Sequence, residues 1–167
     1  MLFRSQDGQG LFAQPEIADD FNKWNIACGE NPEFLFDPEH FYQSFVGAKG
    51  PGQVVFAAIT GVPAAEQDPV GAAACQGWGD ALGGCLDQDA MQLDLVQPSG
   101  GTWYYEAACT RTMDSVEVTK AYPGRRFVEL AAYHFGPMSY VYSICNDDWS
   151  PAFDDIKYRL RQYLAAQ

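Results

Sequence analysis

The length, composition and charge of the chain argue against several classes of protein. With 167 residues, 47% of them apolar and 14% aromatic, it has the size and composition of one folded domain rather than of a disordered protein. Its net charge of −12 repels phosphate backbones, so no nucleic-acid partner is expected. No apolar run approaches the roughly 20 residues that span a bilayer, so no transmembrane segment is expected either. The excess of carboxylates has two interpretations, solubility and cation binding.

Residues 1–36 form an irregular N-terminal segment without a clean helical or strand period. Met1 to Ser5 read Met-Leu-Phe-Arg-Ser, which matches a sequencing-library adapter translated behind a start codon. We therefore interpret these five residues as non-native and the reading frame as cut at its 5′ end. The missing signal peptide then carries no information on localisation. The alternative is a genuine, irregular N-terminal arm.

A first helix and strand are predicted directly after this segment. Asp37-Pro38 has the form of an N-cap followed by a first-turn proline, and the amphipathic stretch behind it ends near Gly47 and Gly50. The apolar run over residues 53–60 then predicts a strand buried on both faces, as parallel strands are.

Residues 62–122 do not read as a single crossover helix. They contain Gly-rich turns and one predicted β-hairpin, formed by MQLDLVQ and TWYYEAACT around residues 98–101. We interpret this segment as a long insertion between a strand and the next helix. Such connections lie where open α/β sheets usually place their binding sites.

The last third of the chain predicts a second helix, a strand and a third helix. RRFVELAAYHF has helical spacing, Gly136-Pro137 ends it, and SYVYSIC reads as a strand. Ser150 is the predicted N-cap of the last helix. This rhythm predicts an α/β fold over residues 37–167 with a doubly wound, mainly parallel sheet covered on both faces.

Five cysteines fall at positions that a parallel layout brings to one rim of the sheet, the edge where its strands end. They are Cys28, Cys75, Cys85, Cys109 and Cys145. None lies in a C-x-x-C motif, so a zinc site or a thioredoxin-type redox pair is poorly supported. Their shared placement predicts disulfides in an oxidising compartment, Cys75 with Cys85 and Cys109 with Cys145, and leaves Cys28 unpaired. The alternative is five reduced cysteines in a cytoplasmic protein.

Two longer stretches carry a family-like pattern. In FYQSFVGAKGPGQVVFAAITGVP a helix ends near a PG turn before a VVFAAI strand. In AYPGRRFVELAAYHFGPMSYVYSICNDDWSPAFDDI a PG-x-R-x-x-E-L helix leads into a strand ending S-I-C-x-x-D. Together they resemble the C-terminal portion of von Willebrand factor A-like domains of bacterial extracytoplasmic proteins. The resemblance implies a three-layer, Rossmann-like domain truncated at its N-terminus, which binds a protein ligand at the C-terminal edge of its sheet.

The same resemblance implies a Mg²⁺ or Ca²⁺ ion in the intact domain. The metal motif of the family, D-x-S-x-S at the end of the first strand, does not occur in this sequence. The nearest string, DWSPA, has alanine in place of the second serine and follows the last predicted strand. The candidate ligands are therefore weak: Asp147, Asp148, Ser150, Asp19 and Asp20. We expect this chain itself to carry no cofactor and to bind metal weakly or not at all.

Two functions of different class are compatible with the sequence. The first is a non-enzymatic binding or adhesion domain of an exported bacterial protein, either a lipoprotein or a secreted protein, located in the periplasm, in the cell envelope or outside the cell. The alternative is a fragment of a secreted, hydrolase-like α/β enzyme whose catalytic residues lie upstream. No catalytic residue is predicted here, because the chain has no G-x-S-x-G nucleophile elbow, and both histidines lie inside predicted helices.

Overall fold

The computed structural model describes residues 35–50, 52–97, 99, 101–113 and 116–165. Four α-helices and seven strands make up the regular structure of these residues. In chain order they are α1 (Pro38–Lys49), β1 (Phe56–Thr60), α2 (Pro69–Cys75), β2 (Gly77–Trp78), β3 (Leu95–Val96), β4 (Tyr104–Tyr105), β5 (Cys109–Met113), β6 (Val116–Ala121), α3 (Arg125–Glu129), β7 (Ser139–Ser143) and α4 (Ser150–Ala165). Helix α3 continues as a π-helix over Leu130–Phe135. None of the described helices is both long enough and apolar enough to cross a bilayer.

The strands form three small sheets. The largest has the order β1-β7-β2, in which β1 and β7 are parallel, with Phe56 opposite Ser139 and Thr60 opposite Ser143, and β2 is antiparallel to β7. The other two are antiparallel pairs, β3 with β4 and β5 with β6. The prediction of a doubly wound, mainly parallel sheet is therefore wrong for the described residues, which contain a single parallel pair.

The error has a physical reason in residues 62–122. Strands there are two to six residues long. Only β2 joins the main sheet, antiparallel to β7, and the other four pair with their neighbours in sequence. Between them the chain forms short 3₁₀ turns, at Gly79–Ala81, Cys85–Asp87 and Asp89–Met91. A local hairpin costs less loop-closure entropy than a long parallel crossover, and nothing in this segment supplies a crossover helix of the usual length.

The helix boundaries follow the local signals closely. Asp37 caps α1 by accepting a hydrogen bond from the Glu39 N–H at 2.8 Å, with Pro38 in the first turn, and Gly50 ends the helix with φ 92°.

The predicted N-terminal segment lies almost wholly outside the described residues. The same is true of the predictions on Met1 to Ser5, on Asp19 and Asp20, and on Cys28.

Helix α3 covers one face of the three-stranded sheet. Val128 and Ala131 pack there against Val141 of β7 and Ala58 of β1 in the main apolar cluster. Where the helix widens, the Ser139 hydroxyl donates to the carbonyl oxygens of Ala131 and Gly136, both at 2.8 Å. The Ala131 carbonyl also accepts from the Gly136 N–H, the five-residue bond of the wider helical turn, so the buried serine adds a second donor to it.

Helix α4 covers the opposite face through few contacts. Ala152 is the one side chain of α4 that is fully buried. The Tyr140 hydroxyl donates to the Asp155 carboxylate at 2.8 Å, and the Arg159 guanidinium lies 4.5 Å from the centre of the Trp78 ring. Within the described part of the chain, these two polar contacts and the buried Ala152 therefore hold the helix on the sheet.

The Tyr140–Asp155 contact makes the free energy of unfolding depend on pH in the alkaline range. Burial of the Tyr140 hydroxyl and its hydrogen bond to Asp155 raise the pKa of this tyrosine well above its usual value near 10. A raised folded-state pKa gives stability that is complete below pH about 10 and is lost as the pH rises further, because only the unfolded chain then releases the proton. We expect wild-type protein to lose more stability than Tyr140→Phe between pH 9.5 and 11.5. Urea unfolding at both pH values measures this. Tyr158→Phe, at an exposed tyrosine, should behave as wild type.

Candidate functional site

The ends of the two parallel strands bring distant parts of the chain together. The Ile144 N–H, just after β7, donates to the carbonyl of Thr60 at the end of β1 at 2.9 Å. The buried Ser143 hydroxyl donates to the carbonyl of Val62 at 2.7 Å. We call the surface formed here the rim; it comprises residues 61–68, 109–111 and 144–149.

Two disulfides link chain segments in this part of the molecule, and one of them lies at the rim. Cys109, the first residue of β5, is bonded to Cys145, which follows β7. Cys75 at the end of α2 is bonded to Cys85 in a 3₁₀ turn. All four side chains are buried, and the pairs are those that the sequence favours. The predicted unpaired thiol, Cys28, lies outside the described residues.

Residues 110 and 111 add polar contacts beside the Cys109–Cys145 bond. The Gln67 side chain accepts a hydrogen bond from the Thr110 N–H at 3.1 Å and donates to the Thr110 carbonyl. Arg111 Nε lies 3.1 Å from the carboxylate of Asp147. An isolated two-stranded hairpin is marginally stable in water, so these contacts at its base fix the β5–β6 hairpin relative to the rim.

Asn146 connects two rim segments from a buried position. Its side chain is 3% exposed, accepts from the Ala65 N–H at 3.3 Å and donates to Gln76 Oε1 at 2.7 Å. Gln76 in turn donates to the Pro63 carbonyl at 2.7 Å. The sequence drew attention here only to the neighbouring Asp147 and Asp148, because nothing in its pattern distinguishes a buried asparagine amide from an exposed one.

Replacing Asn146 by alanine should lower the free energy of unfolding by about 2 kcal/mol, because the Ala65 N–H and the Gln76 amide oxygen then lose their partner inside the protein. Urea unfolding followed by tryptophan fluorescence measures the change. Gln88→Ala is the matched control, since the hydrogen bond of that side chain to a described residue is an exposed one, to the carbonyl of Gly84 four residues away. An Asn146→Ala variant as stable as the control would show that the network contributes nothing.

The candidate metal ligands of the last turn are engaged with protein groups. Asp147 faces Arg111, and Asp148 Oδ1 accepts from the Ser150 N–H at 2.8 Å. Hydrogen bonds from the backbone and side chain of Ser150 lower the pKa of the Asp148 carboxyl. Asp148 therefore provides the carboxylate at the start of α4, where Ser150 was predicted to cap, and Ser150 is the first helical residue.

The described residues gather few groups of the kind that bind a divalent cation around these carboxylates. Among the described residues no three His, Cys, Asp or Glu side chains come together as a ligand set. Asp19 and Asp20 lie outside the described part. The charged neighbour of Asp147 is the guanidinium of Arg111, which carries hydrogen-bond donors and no acceptor. The described rim thus places no acid–base pair at Asp147.

The outward side of the rim is both acidic and apolar. Glu66, Asp147 and Asp148 are exposed there, as are the large side chains of Ile144 and Trp149. The chain matches no known family model, no curated protein and no solved structure. The von Willebrand factor A-like resemblance consequently stays a prediction from its two sequence stretches.

Proposed function

We propose that this chain is a non-enzymatic binding domain of an exported protein and that it binds a protein ligand at the rim. One observation carries the proposal: the loops of the rim are joined by a disulfide, an ion pair and buried amide contacts. A surface fixed in this way loses little conformational entropy on binding.

The disulfides support export. Two buried disulfides persist in an oxidising compartment and are rare in the cytoplasm of most organisms. The net charge of −12 keeps such a domain soluble and directs it away from nucleic acids and anionic membranes. A periplasmic, envelope-bound or secreted location therefore fits the chain.

The chemistry of the rim indicates the kind of ligand. Trp149 and Ile144 offer apolar anchors, and aromatic side chains contribute strongly to protein–protein interfaces. The carboxylates of Glu66, Asp147 and Asp148 are exposed on the same rim. A protein surface that presents apolar and basic side chains complements this combination.

Site-specific crosslinking tests the proposal on the full chain. A photocrosslinking amino acid at Trp149 should capture a protein from the extracytoplasmic fraction of the cells that make this chain. The same amino acid at exposed Gln53, before β1 and at the opposite edge of the sheet, is the control and should capture none. Once the captured protein has been purified, the double variant Asp147→Ala, Trp149→Ala should bind it with a Kd about tenfold higher, or more, than that of wild type. Equal capture at both positions, or unchanged affinity, would exclude the rim as the binding surface.

A further inference from the structure

Helix α4 carries an apolar stripe that does not face the sheet. Phe153, Leu160 and Leu164 form it, and they are 57%, 40% and 70% exposed. They follow one another at seven and four residues, so they lie in one line along the helix, about 16 Å long. Ala152, which α4 buries against the sheet, points about 100° away from Phe153. We call this line the α4 stripe; it lies on the flank of the helix and begins beyond the rim.

Charged side chains border the α4 stripe. Asp154, Lys157 and Arg161 are exposed and follow one another at three and four residues, so they form a second line beside the stripe. All three line the same surface hollow. Among the described residues, none of them forms an ion pair. The line is acidic towards the N-terminus of the helix and basic towards its C-terminus, so it is complementary to its own reverse.

The charge of α4 also differs from that of the chain as a whole. The helix contains two acidic and three basic side chains, which gives it a charge of +1, whereas the chain has a net charge of −12. Two copies that approach each other through α4 therefore avoid most of the repulsion that the acidic side chains exert elsewhere. The helix is thus a segment through which this acidic chain can meet a second copy at low electrostatic cost.

Two α4 stripes complement each other when the helices run antiparallel. In a symmetric parallel pair each residue meets its own copy, so Asp154 faces Asp154 and Arg161 faces Arg161, and like charges repel. In an antiparallel pair, Phe153 of one copy fits between Leu160 and Leu164 of the other. This register places Asp154 of each copy opposite Arg161 of the other, because both contacts share one two-fold axis. Apolar packing and charge pairing thus favour the same arrangement.

We propose that the chain forms a symmetric dimer in which the α4 stripes of two copies pack antiparallel. Three apolar side chains from each copy make a small interface, in the class of transient contacts that bury less than about 1,200 Å². Lys157 lies near the two-fold axis and faces its own copy, which weakens the dimer further. We therefore expect a dissociation constant between about 10 µM and about 1 mM.

Sedimentation equilibrium of the full chain tests the dimer. Between about 5 µM and about 1 mM protein, in about 0.15 M salt, the mean mass of wild type should rise from 18.4 kDa towards twice that value. Leu164→Asp puts a charge into the apolar contact and should hold the mass near 18.4 kDa throughout. Val70→Asp makes the matching change at a residue of α2 that is 77% exposed, and it should associate as wild type does. A wild-type mass that stays at 18.4 kDa over the whole range would overturn the proposal.

Charge reversal tests the antiparallel orientation. Arg161→Asp places a carboxylate opposite Asp154 of the other copy, twice in each dimer, and should raise the dissociation constant of the dimer by about tenfold or more. Adding Asp154→Arg to the same chain should restore wild-type association, because both ion pairs then form with reversed polarity. Lys49→Asp makes the same change in net charge at an exposed residue of α1 and should have no effect. If Arg161→Asp dimerises like wild type, or if the second substitution restores nothing, another surface associates and the proposal is wrong.

Discussion

Replacing both Cys109 and Cys145 by alanine is expected to lower the free energy of unfolding by about 4 kcal/mol. The disulfide joins residues 36 positions apart, so its removal frees a long loop in the unfolded chain. The native state also loses the covalent bond that joins the β5–β6 hairpin to the rim. Urea unfolding followed by tryptophan fluorescence measures the loss.

The second disulfide gives the matched control for this prediction. Cys75 and Cys85 are only 10 positions apart, so replacing that pair should cost about 1 kcal/mol less in the loop-entropy description. Hydrogen exchange should separate the two variants as well. Only the loss of Cys109–Cys145 should leave the amides of β5 and β6 unprotected in the native state. A double variant at Cys109 and Cys145 with wild-type stability would contradict the account of the rim.

Gly79→Ala is expected to destabilise the protein by about 3 kcal/mol or more, because the site has no room for a methyl group. A Cβ atom at Gly79 would lie 2.0 Å from the Ser139 hydroxyl, 2.3 Å from the Gly136 carbonyl oxygen and 2.6 Å from that of Ala131. Two of these atoms belong to the backbone and cannot rotate away. The close packing exists because the Ser139 hydroxyl bonds to both carbonyls directly beneath the glycine.

Gly83→Ala is the control for this substitution. A Cβ atom at Gly83 meets no atom within 4 Å, so that variant should stay within about 0.5 kcal/mol of wild type. Combining Gly79→Ala with Ser139→Ala should not restore stability, since both carbonyl contacts remain. Urea unfolding of the four proteins decides. If Gly79→Ala and Gly83→Ala were equally stable, the widened helix could not pack as closely on the turn at Gly79 as described.

Local signals predicted several helices and strands, but the helix α2 was missed although its start carries the same signal as that of α1. Asp37-Pro38 marks the start of α1, as predicted. Asp68-Pro69 has the same form and caps α2, with the Asp68 carboxylate accepting from the Gly71 N–H at 2.9 Å. The sequence therefore contained the signal for α2, which the Gly-rich composition of the surrounding insertion obscured.

Pairing partners were harder to predict than the strands themselves. The strands β1 and β7 were recognised from their apolar runs, and they do pair in parallel. The β5–β6 hairpin was missed because β6 is exposed along most of its length, so burial imposes no alternation on its sequence. Sheet membership depends on contacts between residues far apart in the chain, which no local period encodes.

The rim was predicted in part. The expected placement of the cysteines on one rim of a parallel sheet favoured the two disulfide pairs, which the structure contains although it does not contain that sheet. Contacts such as Arg111 with Asp147 and Asn146 with Gln76 join residues 36 and 70 positions apart, and their side-chain types occur equally on any surface. The carboxylates of the last turn were read as weak metal ligands. In the structure one faces an arginine and the other accepts the first N–H of α4.

Disulfide mapping tests most directly the claim that this is an exported domain with a covalently fixed rim. The full chain should be isolated from the cells that make it, with free thiols blocked at the moment of lysis, and digested without reduction. Mass spectrometry should then find peptides linked through Cys75–Cys85 and through Cys109–Cys145. Recovery of all four cysteines as blocked thiols would contradict both the rim and the proposed location, and recovery in other pairings would contradict the rim.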